Sequence, residues 1–193
     1  MIEKIKSQLR QSMDVKREIL EDNAMLGQIA RVAEIWVAAL RSGKKLLFAG
    51  NGGSAADSQH LSAEFVGRFK LERDALPALA LNTDTSFLTA VGNDYGFEHI
   101  FSRQVQALGN QGDVFVGIST SGNSANVVKA IEQAKKNGLS VIGFTGSGGG
   151  KMDSLCDVNL CVPSDDTPRI QEAHITLGHI LCDLTEKQLF PSG

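Results

Sequence analysis

The chain has 193 residues, 42% hydrophobic and 21% charged, enough for one sizeable domain plus an appendage. A net charge of -3 gives no polybasic face for nucleic acid or an anionic membrane surface, and no apolar run approaches the ~20 residues of a membrane span. Cys156, Cys161 and Cys182 have no metal-ligand spacing, and the charged start MIEKIKSQLRQSMDVKREIL lacks a signal peptide's apolar region, so a reduced cytoplasmic protein with buried thiols is expected.

Residues 2–22 contain no Gly or Pro and place Ile2, Ile5, Leu9, Met13 and Ile19 or Leu20 on roughly one face, which predicts an amphipathic helix. A second, more apolar helix is predicted over 24–41, ended by Ser42-Gly43. Two long helices before any strand need the main domain or another subunit to cover them. Residues 1–43 are therefore read as a helical hairpin and 44–193 as the main domain.

Five short apolar runs follow: KKLLFAG (44–50), ALALNT (78–83), DVFVGIS (113–119), SVIGFTG (140–146) and DVNLCVP (157–163). Each reads as a buried strand. Helices are predicted between them over 54–69, over 85–107 with a break near Gly92–Gly96, and over 123–137. A short one is placed near 150–155, and a last runs from Thr167 to Leu189 with Pro168 in its first turn. Alternating strands and helices predict a five-stranded parallel sheet covered on both faces. Ligands of such sheets bind beyond the carboxyl ends of the strands, which here means the loops near Gly50, Thr83, Ser119 and Gly146.

Two of those loops are built for anions or polar ligands. Gly50, Asn51, Gly52, Gly53 and Ser54 join a strand to a helix, where glycines admit close backbone approach and the helix offers free N–H groups. Gly50-x-Gly52-x-x-Ala55 also fits a relaxed dinucleotide fingerprint, with Asp84 ending the next strand, but the chain leaves no second domain for a hydride acceptor. STSGNS, Ser119 to Ser124, puts four hydroxyl residues at another strand-to-helix junction. Asn123 or Ser124 can cap the helix, yet one cap needs only one or two such residues. Hydroxyls with a helix N-terminus make a phosphate cradle, and no GxxxxGK[ST] is present to suggest a nucleoside triphosphatase.

His60 and Glu64 share one helix face a turn apart, a spacing open to a solvated pair, joint metal ligation or a proton relay. Gln171 and His179 lie on the last helix, a rise of ~12 Å apart. His179 stands in the apolar run HITLGHILCDL, where a core histidine is the default.

Taken together, GNGGSAADSQHLSAEFVGRF (50–69), LTAVGNDYGFEHIFSRQV (88–105), GDVFVGISTSGNSANVVKAI (112–131) and DTPRIQEAHITLGHILCDL (166–184), with the N-terminal helical pair, resemble the sugar isomerase (SIS) family, and within it the phosphoheptose isomerases. The resemblance implies a five-stranded parallel α/β fold and a homotetramer with active sites at subunit interfaces. The implied reaction interconverts sedoheptulose 7-phosphate and D-glycero-D-manno-heptose 7-phosphate through an enediol, leading to ADP-heptose and lipopolysaccharide core or other surface glycans. It also implies zinc on His60, Glu64, Gln171 and His179, with Glu64 as general base and His179 as general acid. Substrate positions map onto Asn51, Gly52, Gly53, Glu64, Asn93, Asp94, Ser119, Thr120, Ser121, Ser124 and Gln171. A non-catalytic relative, the DnaA initiator-associating protein, shares the fold but lacks the paired catalytic groups that Glu64 and His179 fill here.

Overall fold

The computed structural model describes residues 1–191. Five strands form one fully parallel sheet in the order β2-β1-β3-β4-β5: β1 Leu46–Gly50, β2 Ala78–Ala80, β3 Val114–Ser119, β4 Ser140–Thr145 and β5 Val158–Cys161. The three central strands read as near-continuous apolar runs because helices cover both faces of the sheet.

Successive residues of a strand point to opposite faces, so each run feeds two cores. Leu46 and Phe48 of β1 face one core, with Trp36, Leu61, Phe65, Leu177 and Leu181. Leu47 and Ala49 face the other, with Val91, Val105, Val127 and Ile131. The first core is covered by α1 (Ile2–Glu21), α2 (Asn23–Arg41), α3 (Gly53–Val66) and α7 (Thr167–Leu189). The second lies under α4 (Thr85–Asp94), α5 (Ser102–Leu108) and α6 (Ala125–Lys136).

Asp22 joins α1 to α2, its carboxylate accepting from the N–H groups of Ala24 and Met25 at 2.9 and 3.1 Å. Trp36 of α2 is fully buried and meets Phe48 and Phe65 edge-on, with ring centroids 5.8 and 5.5 Å away. Along α1 only Val15 and Ile19 are buried. Ile2, Ile5, Leu9, Met13 and Leu20 remain exposed, so most of the apolar stripe read from the sequence faces away from this chain.

Several predicted elements are trimmed. The strand expected to reach residue 83 ends at Ala80, and Asn82 instead donates through Nδ2 to the carbonyl of Gly50 at 2.6 Å. The helix expected over 54–69 stops at Val66. The helix expected over 85–107 divides at Gly96, whose φ of 95° is open to glycine, into α4, a 3₁₀ turn at Phe97–His99, and α5. Of the thiols expected to be buried, Cys182 is buried, while Cys156 and Cys161 are half-buried. Among the described residues no helix is long and apolar enough to cross a membrane.

Candidate active site

The chain leaves β1 toward one edge of the sheet and enters β3 from the other side, so β1 and β3 flank the topological switch point, with Gly50 opposite Ile118. The loops leaving these strands carry the glycine turn and the hydroxyl loop. Asn51 and Asn126 tie them together by a reciprocal amide pair, 2.9 and 2.8 Å. Gly50 is packed too tightly for a side chain: a Cβ there would lie 2.7 Å from Ser54 and 2.9 Å from the Ile118 carbonyl. Gly52, with φ 55°, turns the chain into α3.

In the hydroxyl loop, Ser119 is buried and its Oγ lies 2.9 Å from Ser124 Oγ and 3.5 Å from Ser121 Oγ. Ser124 occupies the N-cap of α6 but makes no side-chain cap bond, and Asn123 donates to the Ser121 carbonyl and accepts from Lys151 N–H instead. The expected cap is therefore absent, and the Ser124 hydroxyl faces its neighbouring hydroxyls. Gly146 N–H and Met152 N–H hold the loop from behind through the carbonyls of Thr120 and Gly122, at 2.9 and 3.1 Å. A cleft of about 540 Å³ opens beside it, lined by Asn51, Ser124, Asn126 and the turn at Gly96–Glu98.

On α3 and α7 the candidate acid–base residues converge. Glu64 Oε1 is 3.0 Å from His60 Nε2, and His60 Nε2 is 3.3 Å from His179 Nε2. The three ligand atoms lie within 4.8 Å of one another. The approach is close because Gly178 has no side chain: a Cβ there would sit 2.6 Å from Leu61 of α3. His179 is half-buried. The core histidine of α7 is His174, 1% exposed, with Nε2 3.0 Å from the Thr145 carbonyl and its pKa pushed down to about 4 by burial.

Two imidazoles and a carboxylate are a donor set that zinc accepts. Bonds of ~2.0–2.1 Å at tetrahedral angles put neighbouring ligand atoms about 3.3 Å apart. The spacings of 3.0 and 3.3 Å match that edge, so the group fits a metal ion. Gln171 is placed elsewhere on α7, its amide pressed against Gly53 at the first turn of α3, ~10 Å along the helix before His60. Asn93 and Asp94 lie exposed at the end of α4, where Asn93 Nδ2 donates to Asp94 Oδ1 at 2.9 Å. Among the described residues their side chains bond to no other candidate group.

Two contributors are not singled out by sequence reasoning. Asn126 completes the amide pair, and its position two residues past a cap carries no signal of that. Asp57 stands three residues before His60 with Oδ2 buried and unpartnered. Burial raises its carboxyl to about 6, against the opposing pull of His60.

The chain thus carries a glycine turn and a hydroxyl loop at the switch point of a parallel sheet and, further along the α3–α7 seam, a candidate acid–base group, a combination suited to a sugar-phosphate class of site. The chain belongs to the SIS domain family, whose model matches residues 9–146. It is 58% identical over 193 residues to the phosphoheptose isomerase of Geobacter sulfurreducens, covering 99% of this chain and 100% of the relative. The phosphoheptose isomerase of Aneurinibacillus thermoaerophilus is 56% identical over 186 residues, covering 96% and 94%. The structure of the phosphoheptose isomerase of Neisseria gonorrhoeae superposes with a TM-score of 0.90 at 46% identity, covering 96% of this chain and 98% of that one.

Proposed function

We propose that this chain is an aldose–ketose isomerase that interconverts D-sedoheptulose 7-phosphate and D-glycero-D-manno-heptose 7-phosphate, the first step toward ADP-heptose. The observation that carries this reading is the convergence of Glu64 and His179 on His60 from two different helices. Isomerisation needs one group to take a carbon-bound proton and another to serve the neighbouring oxygen, and each contributes ~10²- to 10⁴-fold when well placed.

Glu64 removes the proton from the hydroxyl-bearing carbon beside the carbonyl, and His179 donates a proton to the carbonyl oxygen. The enediol so formed collapses the other way: Glu64 returns its proton to the former carbonyl carbon, while His179 recovers one from the other oxygen. Zinc held by His60, Glu64 and His179 would polarise the carbonyl and favour the enediolate. Ser119, Thr120, Ser121 and Ser124 hold the phosphate at the N-terminus of α6, where the helix supplies the positive potential that the loop lacks. Remote phosphate binding then fixes the reacting carbons over Glu64. Asn51, Gly52, Gly53, Asn93, Asp94 and Gln171 serve the sugar hydroxyls.

The active unit is a homotetramer with sites between subunits. The exposed Ile5, Leu9 and Met13 of α1 support this, as does the adjoining apolar groove of about 270 Å³ lined by Leu20, Leu26 and Ile180. Incubating zinc-loaded protein with sedoheptulose 7-phosphate and following the aldose product tests the reading. A folded, metal-loaded protein without turnover on this substrate would overturn it.

A further inference from the structure

Behind the His60–Glu64–His179 group lies a buried ion pair. Arg73 and Glu186 have side chains only 2% and 3% exposed, and Arg73 Nε donates to Glu186 Oε1 at 2.9 Å. Glu186 also accepts from the backbone N–H groups of Phe69, Lys70 and Leu71, at 3.2, 2.9 and 3.0 Å. Arg73 turns Nη1 to the carbonyls of Phe65 and Asp74, at 3.0 and 2.9 Å, and Nη2 to the carbonyl of Glu64 at 2.8 Å.

The Glu64 and Phe65 carbonyls belong to the last turn of α3, where helical partners run out. A cation capping a helix C-terminus is an ordinary structural device. A glycine turn or an exposed lysine would do as much without desolvating two charges. The distinguishing feature is where this network ends. One branch stops on the backbone of Glu64. The other fixes Phe69, whose ring stacks on the His179 imidazole with centroids 5.6 Å apart and planes inclined 29°. Glu186 itself follows His179 by two turns on the same face of α7.

We propose that Arg73 and Glu186 are positioning residues that keep Glu64 and His179 in register, Arg73 through the Glu64 carbonyl and Glu186 through Phe69. This inference rests on the reading of Glu64 and His179 as the acid–base pair. A shift of about 1 Å in a reacting group can cost ~10²-fold in rate, so a network of this kind acts on turnover more than on affinity.

The test compares Arg73→Lys, Glu186→Gln, Phe69→Leu and Phe69→Tyr with Glu64→Gln in the full, zinc-loaded chain. Arg73→Lys and Glu186→Gln are expected to lose roughly 10- to 100-fold in kcat with KM held within about threefold. Phe69→Leu is expected to lose kcat in the same sense, and Phe69→Tyr, which keeps the ring, to recover it. A slow Glu64→Gln beside normal kcat in the other variants would leave the acid–base reading standing and overturn the positioning role. An equally fast Glu64→Gln would remove the acid–base reading and this inference with it. If Glu186→Gln fails to fold, the Phe69 pair decides: equal kcat for Leu and Tyr overturns the role, and ring-dependent kcat supports it.

Discussion

His60 Nε2 and His179 Nε2 face each other at 3.3 Å although 119 residues separate them in the chain. A ring N–H at His60 can serve only one of its two neighbours at a time, since the Glu64 carboxylate meets the same nitrogen at 3.0 Å. A cation among the three groups would engage all of them at once. Zinc added to metal-free protein is therefore expected to raise the melting temperature. At a free concentration about 100 times Kd the gain is ~2.7 kcal/mol, a shift of several degrees for a domain of this size. His60→Ala should abolish most of that rise. A variant that melts with the same zinc dependence as the unaltered chain would place the metal elsewhere.

Removing either proposed proton-transfer group while keeping its shape should separate chemistry from folding. Glu64→Gln and His179→Gln are expected to lose at least ~10²-fold in kcat. Both side chains stand at the surface of the α3–α7 seam rather than in the core, Glu64 21% exposed and His179 half-buried. Melting of the metal-free variants should therefore change little. Steady-state kinetics beside circular dichroism decides the matter, and near-normal turnover in either variant would remove that residue from the mechanism.

Much of this arrangement is legible in the sequence because each signal is local. The apolar runs LLFAG and VFVGIS, ending in glycine or serine, announce the central strands and hence the end of the sheet at which ligands bind. The spacing of His60 and Glu64 places them on one helix face. What stays hidden is set by contacts distant in sequence. His179 reads as a core residue until Gly178 brings α7 onto Leu61, and the true core histidine is its neighbour His174. Arg73 looks like one more charge in KLERDALP, since nothing local connects it with Glu186, 113 residues away. Ser124 looks like a helix cap, but its hydroxyl faces Ser119, a choice made by packing around the loop.

His174 makes stability depend on pH. Its folded pKa is about 4 against an ordinary value of 6.5, because burial disfavours the imidazolium. The folded state thus holds the neutral ring while the unfolded chain takes up a proton. Above about pH 6.5 the group imposes no penalty. As the pH falls from there toward 4 the unfolded state binds more protons, and stability drops by up to ~1.4 kcal/mol per pH unit. Urea midpoints should fall over this window in the unaltered protein. His174→Gln, whatever its effect at pH 7.5, should flatten that part of the profile. An unchanged slope would assign the acid sensitivity to other groups.

Gly53 offers the sharpest separation of structure from function. It is the first residue of α3, where alanine is favoured over glycine by up to ~1 kcal/mol, so Gly53→Ala is not expected to weaken the helix. A Cβ at this position runs into the side-chain amide of Gln171. That amide is the far end of a flexible side chain, so the fold yields by turning Gln171 aside, away from the sugar it serves in the proposed site. The expected variant has an unchanged or slightly raised melting temperature and a kcat/KM reduced about tenfold or more, consistent with loss of a well-placed polar contact of roughly 1.5–3 kcal/mol. Gln171→Ala should show a similar loss. The double variant should be little worse than either single one, because both act through the same amide. Additive losses would mean that Gly53 contributes through its own backbone contact with the sugar, independently of Gln171.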